Sequence, residues 1–449
     1  EECRYTPEDD EWPSDAEWAF FNETLGGVLL KPQPLAISCY AGPSYDTARC
    51  ASLQTNWRSM AQHNPNSVCT QGGFPVYVVN AMTVRHVQMA VNFARNKNLR
   101  LVIKNSGHNY NGNNIGGNAL SVWVYNLKGL TYYDNYQASD YTGRAVALAG
   151  GTTATEVNAA SRTYSMTILN AGGPDVTIPG GYFQGAGHST YANFYGLAAD
   201  HVLQISAVTA DGIFVVADAR ANSDLFWAFR GGGGGTLTGN FGVLTSIVVR
   251  TFPVTPVASS SISWSTISQP GTPGVSNESF WAGIREYLSF STSLCDNKGF
   301  GYNFLRHTSS SGANGLTFTS SLSLPNRTAA ELRAFIRSFL ERLNDVRIPI
   351  STTAMLTLDF PNMPSSPQIS RRALGDTVGN TLIASRLFQR SNYASASSIR
   401  AAHRNPFHRQ RRRLRRPRPS HESHARQHRK PRQCNHTRFP NSNHAYASV

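Results

Sequence analysis

Between residues 84 and 94 the apolar side chains Val84, Val87, Val91 and Ala94 return every three to four positions, and the pattern stops at Asn98. This spacing predicts an amphipathic helix from Thr83 to about Asn98. Leu101, Val102 and Ile103 follow as a short apolar run that reads as a buried strand, and the Asn, Ser and Gly residues after it read as an exposed loop. Further strands are expected at 120–127 and 145–149, a turn at Gly150, Gly151 and Thr152, and a helix at 155–161. Residues 202–209 read as a strand that Asp211 and Gly212 turn back into 213–217, a hairpin by its turn residues. Residues 224–230 lead into the glycine run 231–235.

Past about Val254 the character of the chain changes. Ser259, Ser260 and Ser261, with Pro and Thr nearby, read as a linker into a second domain. There, 278–288 is amphipathic with Phe280, Trp281, Ile284 and Leu288 on one side, and 316–324 reads as a strand. Thr328-Ala-Ala-Glu331 is a capping box ahead of the stripe Leu332, Phe335, Ile336, Phe339 and Leu343, which predicts a helix over 328–343. A strand is expected at 382–388. Residues 1–60 read as irregular, with Trp12, Trp18, Phe20 and Phe21 packing onto the next domain.

At 449 residues the chain exceeds what one ordinary core organises, which favours two domains. No apolar run approaches the roughly 18–20 residues of a membrane span. Six Cys, four of them at 3, 39, 50 and 69, lack the CxxC pairs or clustered His that zinc needs. With sequons at Asn22, Asn277 and Asn326 they favour a secreted, disulfide-bonded glycoprotein, Cys39 with Cys50 being the preferred bridge. The start, Glu1-Glu2-Cys3, carries no signal peptide, as expected of a mature chain that has lost one.

The net charge of +14 suggests a nucleic-acid partner until it is located. From residue 400 onward there are 14 Lys and Arg against one acid, Glu422, so the first 399 residues carry 27 basic and 26 acidic groups. The body of the chain is nearly neutral, and nucleic-acid binding is not expected. Residues 404–449, rich in Arg and His and poor in aliphatic side chains, cannot fill a core and are expected to be disordered. Thirteen Arg against one Lys is an odd balance for a nucleic-acid arm. The tail is therefore read as aberrant, from a frameshift or missed intron boundary, with a genuine basic RNA- or membrane-binding arm as the alternative.

Two stretches carry the chemistry. In the first, 100–112, Arg-Leu-Val-Ile-Lys-Asn-Ser-Gly-His-Asn-Tyr-Asn-Gly, a strand feeds a loop of small residues bearing His108 and Tyr110. Such a loop lets backbone N–H groups approach a diphosphate while the strand fixes their position. A lone loop His is ordinarily just solvated, so His108 draws its weight from the second stretch. That stretch, 170–188, reads Asn-Ala-Gly-Gly-Pro-Asp-Val-Thr-Ile-Pro-Gly-Gly-Tyr-Phe-Gln-Gly-Ala-Gly-His and holds six Gly in nineteen residues. The background is about 7%. Glycine at that density usually means backbone pressed against another surface, and Ile178, Tyr182 and Phe183 suit a mobile surface loop poorly. No Lys-Ser/Thr follows the glycine run, and GxGxxG, GxSxG and HExxH are absent, which argues against Walker, Rossmann, hydrolase and zinc-protease chemistry.

Together the two stretches resemble the FAD-linked oxidases of the vanillyl-alcohol oxidase and berberine-bridge-enzyme type, in particular fungal secreted members such as isoamyl alcohol oxidase-like and 6-hydroxynicotine oxidase-like proteins. Asp224-Leu-Phe-Trp-Ala-Phe-Arg, the glycine run and Gly239-Asn-Phe-Gly-Val-Leu-Thr keep the family's order, and Ala384-Ser-Arg-Leu-Phe-Gln-Arg is similar to its substrate sheet. The resemblance implies an α+β fold. A Cys-bearing N-terminal wrap at 1–60 would precede a two-subdomain PCMH-type FAD-binding domain at 61–255. A partial α+β substrate domain of antiparallel sheet and helices would follow at 256–403, with an incomplete C-terminus.

The same resemblance implies FAD as cofactor, bonded through His108 to the 8α carbon of its ring, with Asn105, Ser106, Gly107, Asn109 and Gly112 around it. Gly172, Gly173, Pro174, Val176, Thr177, Gly180, Gly181, Gly185, Gly187 and His188 would lie along it, and Gly242 and Val243 would touch it. Many members carry Cys where Gly173 stands and form a second bond at flavin carbon 6, so attachment through His108 alone is expected. Val176 stands where oxygen-reactive relatives carry a small residue, which favours an oxidase over a dehydrogenase. The implied reaction moves hydride from a C–H beside an alcohol or amine to FAD, with dioxygen as acceptor giving hydrogen peroxide. Tyr110 is the candidate for substrate contact. A monomer with no metal, nucleic-acid or membrane partner is expected. Acid/base residues of relatives come partly from the segment the tail replaces, so a catalytically impaired flavin-binding remnant is one alternative and a secreted binding protein without flavin another.

Overall fold

The apolar face at 84–94 folds as the helix Val84–Asn96, whose start is capped by the Thr83 hydroxyl accepting the His86 N–H. It packs on a sheet in the order Leu29–Leu30, Tyr77–Asn80, Leu120–Trp123, Leu101–Lys104, with the last three strands parallel. This computed structural model describes residues 3–34, 36–56, 71–109, 112–138, 140–231, 241–268, 273–310, 313–350 and 357–360, with short pieces at 382–384, 388–393, 395, 397–398 and 445–447. Contacts divide the chain between Thr255 and Pro256 into two units.

In the first unit the expected irregular start is instead partly helical. Ser14 and Glu17 form a capping box that opens the helix Asp15–Thr24, and a second helix spans Thr47–Asn56. Trp18 stacks on Tyr77 and Phe21 on Phe93, each with ring centroids 3.9 Å apart, and these aromatics close the core beside Val79, Val87, Leu120 and Val122. Phe20 does not join them: it points from the helix into solvent, 70% exposed. The Cys39–Cys50 bridge forms as expected, tying the turn Ile37–Cys39 to the helix Thr47–Asn56.

The strand expected over 120–127 stops at Trp123: Val124 N–H still donates to Lys104 C=O of the neighbouring strand, and the chain then turns, Leu127 N–H donating to Val124 C=O. A second, fully antiparallel sheet runs in the order Leu130–Ala138, Tyr141–Ala149, Val243–Arg250, Val202–Val208, Phe214–Ala217. The hairpin at Asp211 and Gly212 is its edge. Helix Ala154–Thr163 follows the glycine turn, capped by the Thr153–Glu156 box.

The second unit is an antiparallel sheet in the order Phe300–Ser310, Ala313–Pro325, Val257–Ser265, Thr357–Phe360. Ser259–Ser261 are therefore not a linker. They lie in an inner strand whose Ala258, Ser260, Ile262 and Trp264 are buried while Ser261 and Ser263 are exposed. Helices Asn277–Asp296 and Ala329–Asp345 supply the rest of this core, Phe290 stacking on the fully buried Phe339 at 4.5 Å. The first helix outruns its expected end at 288, and Trp281, expected on its apolar side, is 37% exposed. The strand expected at 382–388 is described at Leu382–Ala384, and Phe388 is not part of it. Of the tail, 404–444 lies outside the described residues, while Ala445–Ala447 pairs in parallel with Leu382–Ala384 and is a strand rather than structureless chain, its backbone groups being paired. Among the described residues no helix is long and apolar enough to cross a membrane, and no group of three or more His, Cys, Asp or Glu is placed to hold a metal.

Candidate functional site

Strand Leu101–Lys104 leads into Asn105, whose side chain is buried. Its Nδ2 donates to Gly150 C=O at 2.7 Å, and its backbone carbonyl accepts the Trp123 indole N–H at 3.0 Å. Gly150 in turn donates to Thr245 C=O at 2.7 Å. One asparagine thus ties the parallel sheet to the antiparallel one. The loop then turns at Gly107, whose φ of +98° is a left-handed conformation that only glycine adopts freely. Asn109 N–H closes back on Gly107 C=O at 2.8 Å, and Gly112, at φ +69°, donates to Asn109 C=O at 3.2 Å.

The glycine ribbon is held by the helix Ala154–Thr163. Ala154 N–H donates to Val176 C=O at 2.8 Å, and Thr155 gives both its N–H, at 2.9 Å, and its hydroxyl, at 2.8 Å, to Pro174 C=O. The first amides of a helix have no partner within it. Here they are spent on gripping the ribbon and are not open to an anion. Gly173 and Val176 close a turn, Val176 N–H to Gly173 C=O at 3.3 Å, with Pro174 and Asp175 at its corner.

The two stretches, far apart in sequence, meet. Thr177 N–H points to the Ser106 hydroxyl at 3.4 Å, the two hydroxyls are also 3.4 Å apart, and His108 Nε2 lies 3.0 Å from Asp175 Oδ1. Both side chains of that contact keep access to water, His108 at 29% and Asp175 at 56%. Gly180 is pressed against the same asparagine: a Cβ there would stand 2.8 Å from Asn105 Nδ2. Farther along, Gly181 C=O accepts the Gly185 N–H at 2.9 Å, and Gly187, at φ +76°, has no room for a Cβ beside Ala198.

Asn105, Ser106, Gly107, His108, Asn109, Gly112, Gly173, Pro174, Val176, Thr177 and Gly180 therefore belong to one locality, with half-buried Gly172 beside Gly173. His188 is exposed at the ribbon's end. Val243 begins a strand paired with Val208, with Gly242 just before it, and this strand reaches the locality through Gly150, which bonds to Thr245 two residues on. Tyr110 lies outside the described residues. Sequence reasoning passed over two charged groups. Asp175 was visible only as the third residue of Gly-Pro-Asp, a turn signal. Lys104, whose Cε would stand 3.3 Å from a Cβ on Gly107, is partly buried, and that burial lowers its pKa.

A family described as an FAD binding domain matches residues 75–218, which contain both stretches. The chain is similar to FAD-linked oxidoreductase orf1 of Neocamarosporium betae, at 30% identity over 428 residues, 89% of this chain and 70% of that protein. It is 35% identical over 365 residues to VAO-type flavoprotein oxidase VAO615 of Thermothelomyces thermophilus, covering 76% of this chain and 60% of the relative. Among solved structures, VAO-type flavoprotein MtVAO615 from Myceliophthora thermophila C1 superimposes with a TM-score of 0.69 at 31% identity, covering 80% of this chain and 66% of that one. The chain spans 60–63% of the length of the first curated relatives it matches.

Proposed function

Because the chain belongs to the FAD-linked oxidoreductases of the VAO type, we propose that it is an oxidase acting on a C–H beside an alcohol or amine, with FAD held covalently through His108 and dioxygen as the electron acceptor. The supporting observation is the meeting of the His108 loop with the glycine ribbon, at Ser106–Thr177 and at His108–Asp175. A flavin-free binding protein is set aside by the FAD-binding domain match.

The residues present fit such a cofactor. Asn105 Oδ1 and Gln184 Oε1, one on each stretch, are buried acceptors with no protein hydrogen bond. Buried polar atoms are rarely left so, and a ligand's N–H or O–H would satisfy them. Gly180 leaves no space between ribbon and loop that a side chain could take. FAD, when bound, supplies the two-electron redox chemistry, while the protein holds, orients and shields.

In this reading Asn105 fixes the loop, Ser106 and Thr177 join its two walls, and His108 offers a ring nitrogen for attachment. Gly173, standing where many relatives have Cys, leaves His108 as the attachment point. Val176, half-buried, is the small residue that keeps the site open to dioxygen. Tyr110 would contact the substrate's hydroxyl or amine. The partners are a small-molecule substrate and dioxygen.

Anaerobic mixing with a panel of alcohols, sugars and amines should bleach the flavin band for at least one class. Admitting air should then release hydrogen peroxide in step with recovery of the band. Flavin that no member of the panel reduces would favour an impaired remnant. Reduction without peroxide on air would make the protein a dehydrogenase.

A further inference from the structure

We propose that Asp175 is the positioning residue for flavin attachment: its carboxylate holds the His108 imidazole by Nε2, turns Nδ1 toward the flavin, and takes up the proton that the imidazole loses. The proposal rests on the covalent attachment proposed above. Among the described residues Asp175 is the carboxylate within ion-pair reach of His108, at 3.0 Å. It is placed there by backbone rather than chance. Proline fixes φ at 174, the Gly173–Val176 hydrogen bond closes the turn, and the double hydrogen bond from Thr155 to Pro174 C=O pins that turn to the helix start. Lys104 is the other charged group at this loop, near Gly107.

The pair is half in water, so its attraction adds little stability. Its use is in orientation and proton transfer. An imidazole that donates Nε2–H to a carboxylate keeps the Nδ1 lone pair free. Attachment forms the Nδ1–C8α bond and breaks one C8α–H bond and the Nε2–H bond. Two electrons and two protons leave in total, and dioxygen takes them to become hydrogen peroxide. Asp175 receives the Nε2 proton before it passes to solvent.

The test uses full-length protein from riboflavin-starved cells, mixed with FAD in air and acid-precipitated at intervals, the flavin in the pellet being measured. Asp175→Asn should slow attachment on the order of 100-fold, the scale of a lost proton acceptor. Asp175→Glu should recover most of the rate. In a His108→Ala background, which cannot attach, Asp175→Asn should leave FAD affinity unchanged. Attachment by Asp175→Asn at the wild-type rate would overturn the proposal, and so would a fall in FAD affinity that matches the lost rate, since that is a merely structural role. A wild-type protein that binds FAD yet never retains it in the pellet would sink the covalent attachment itself. That failure is distinguishable, because wild type and Asp175→Asn would then behave alike.

Discussion

Replacing Gly180 by Ala puts a methyl group 2.8 Å from Asn105 Nδ2 and 3.1 Å from Thr177 Oγ1, the first closer than the 3.0 Å that real Cβ contacts respect. Something has to move, and Asn105 is badly placed to do so. Its side-chain amide donates to Gly150 C=O at 2.7 Å in a buried setting, while Trp123 holds its backbone carbonyl. Swinging the amide away strands a buried carbonyl, at about 1–3 kcal/mol. Keeping it in place overpacks the junction, at about 1–3 kcal/mol. The backbone resists as well, since Gly180 sits at φ −76° and ψ −138°, outside the main regions open to residues with a side chain. A loss of about 2 kcal/mol or more is expected, which for a unit of this size lowers Tm by about 4 °C or more. Gly73→Ala is the control: nothing lies within 4 Å of its Cβ, and its cost should stay within about 0.5 kcal/mol. Urea unfolding followed by circular dichroism, with flavin content measured in parallel, compares the two. If Gly180→Ala unfolds at the same urea concentration as Gly73→Ala and keeps its flavin, the junction is not the tight seam described above.

Glu156 offers a pH prediction: burial alone would raise its pKa, but the Thr153 N–H and hydroxyl and the Lys128 ammonium outweigh it and hold the carboxyl below the usual Glu range. A folded value below the unfolded one, about 4.3, means stability that is full above that pH and is lost as pH falls through the folded value. The urea midpoint of wild type should therefore drop more steeply below about pH 4 than that of Glu156→Gln, and parallel curves would refute this. Replacing Cys39 and Cys50 by Ser releases a loop with a sequence separation of 11. By loop entropy this costs about 3 kcal/mol locally, and hydrogen exchange over the helix Thr47–Asn56 should speed up while the sheets keep their protection. Phe339→Ala removes a fully buried ring stacked at 4.5 Å on Phe290. It should cost the second unit about 3–5 kcal/mol in chemical denaturation.

The elements that could be read from sequence are those whose local signal and buried face agree. The helix Val84–Asn96 has its stripe and its Thr83 cap, and Ala329–Asp345 has a capping box and a five-residue stripe, so packing only confirms what each segment prefers. The helix Asp15–Thr24 carried the same kind of box, Ser14 with Glu17, but a cluster of aromatics without clear period masked it. The strand Val257–Ser265 was missed because serine stands on both of its faces: buried Ser260 sits inside a sheet where an aliphatic residue would have made the alternation plain. The site was half legible. Loop and ribbon each announced themselves through small residues, but the contact between His108 and Asp175 joins positions 67 apart, and no local pattern encodes such a meeting. It depends on the Thr155 grip on Pro174, which is set by where a helix begins in space.

On the proposed function, His108 and the glycine ribbon together hold a flavin. Trypsin cleaves after Lys104 and Lys128, so one peptide, 105–128, contains His108 and the whole loop. Mass spectrometry of a digest of flavin-loaded protein should find this peptide fluorescent and heavier by one flavin, with fragment ions placing the added mass on His108. A flavin-loaded protein whose 105–128 peptide is unmodified, or whose flavin is found on another peptide, would contradict the account.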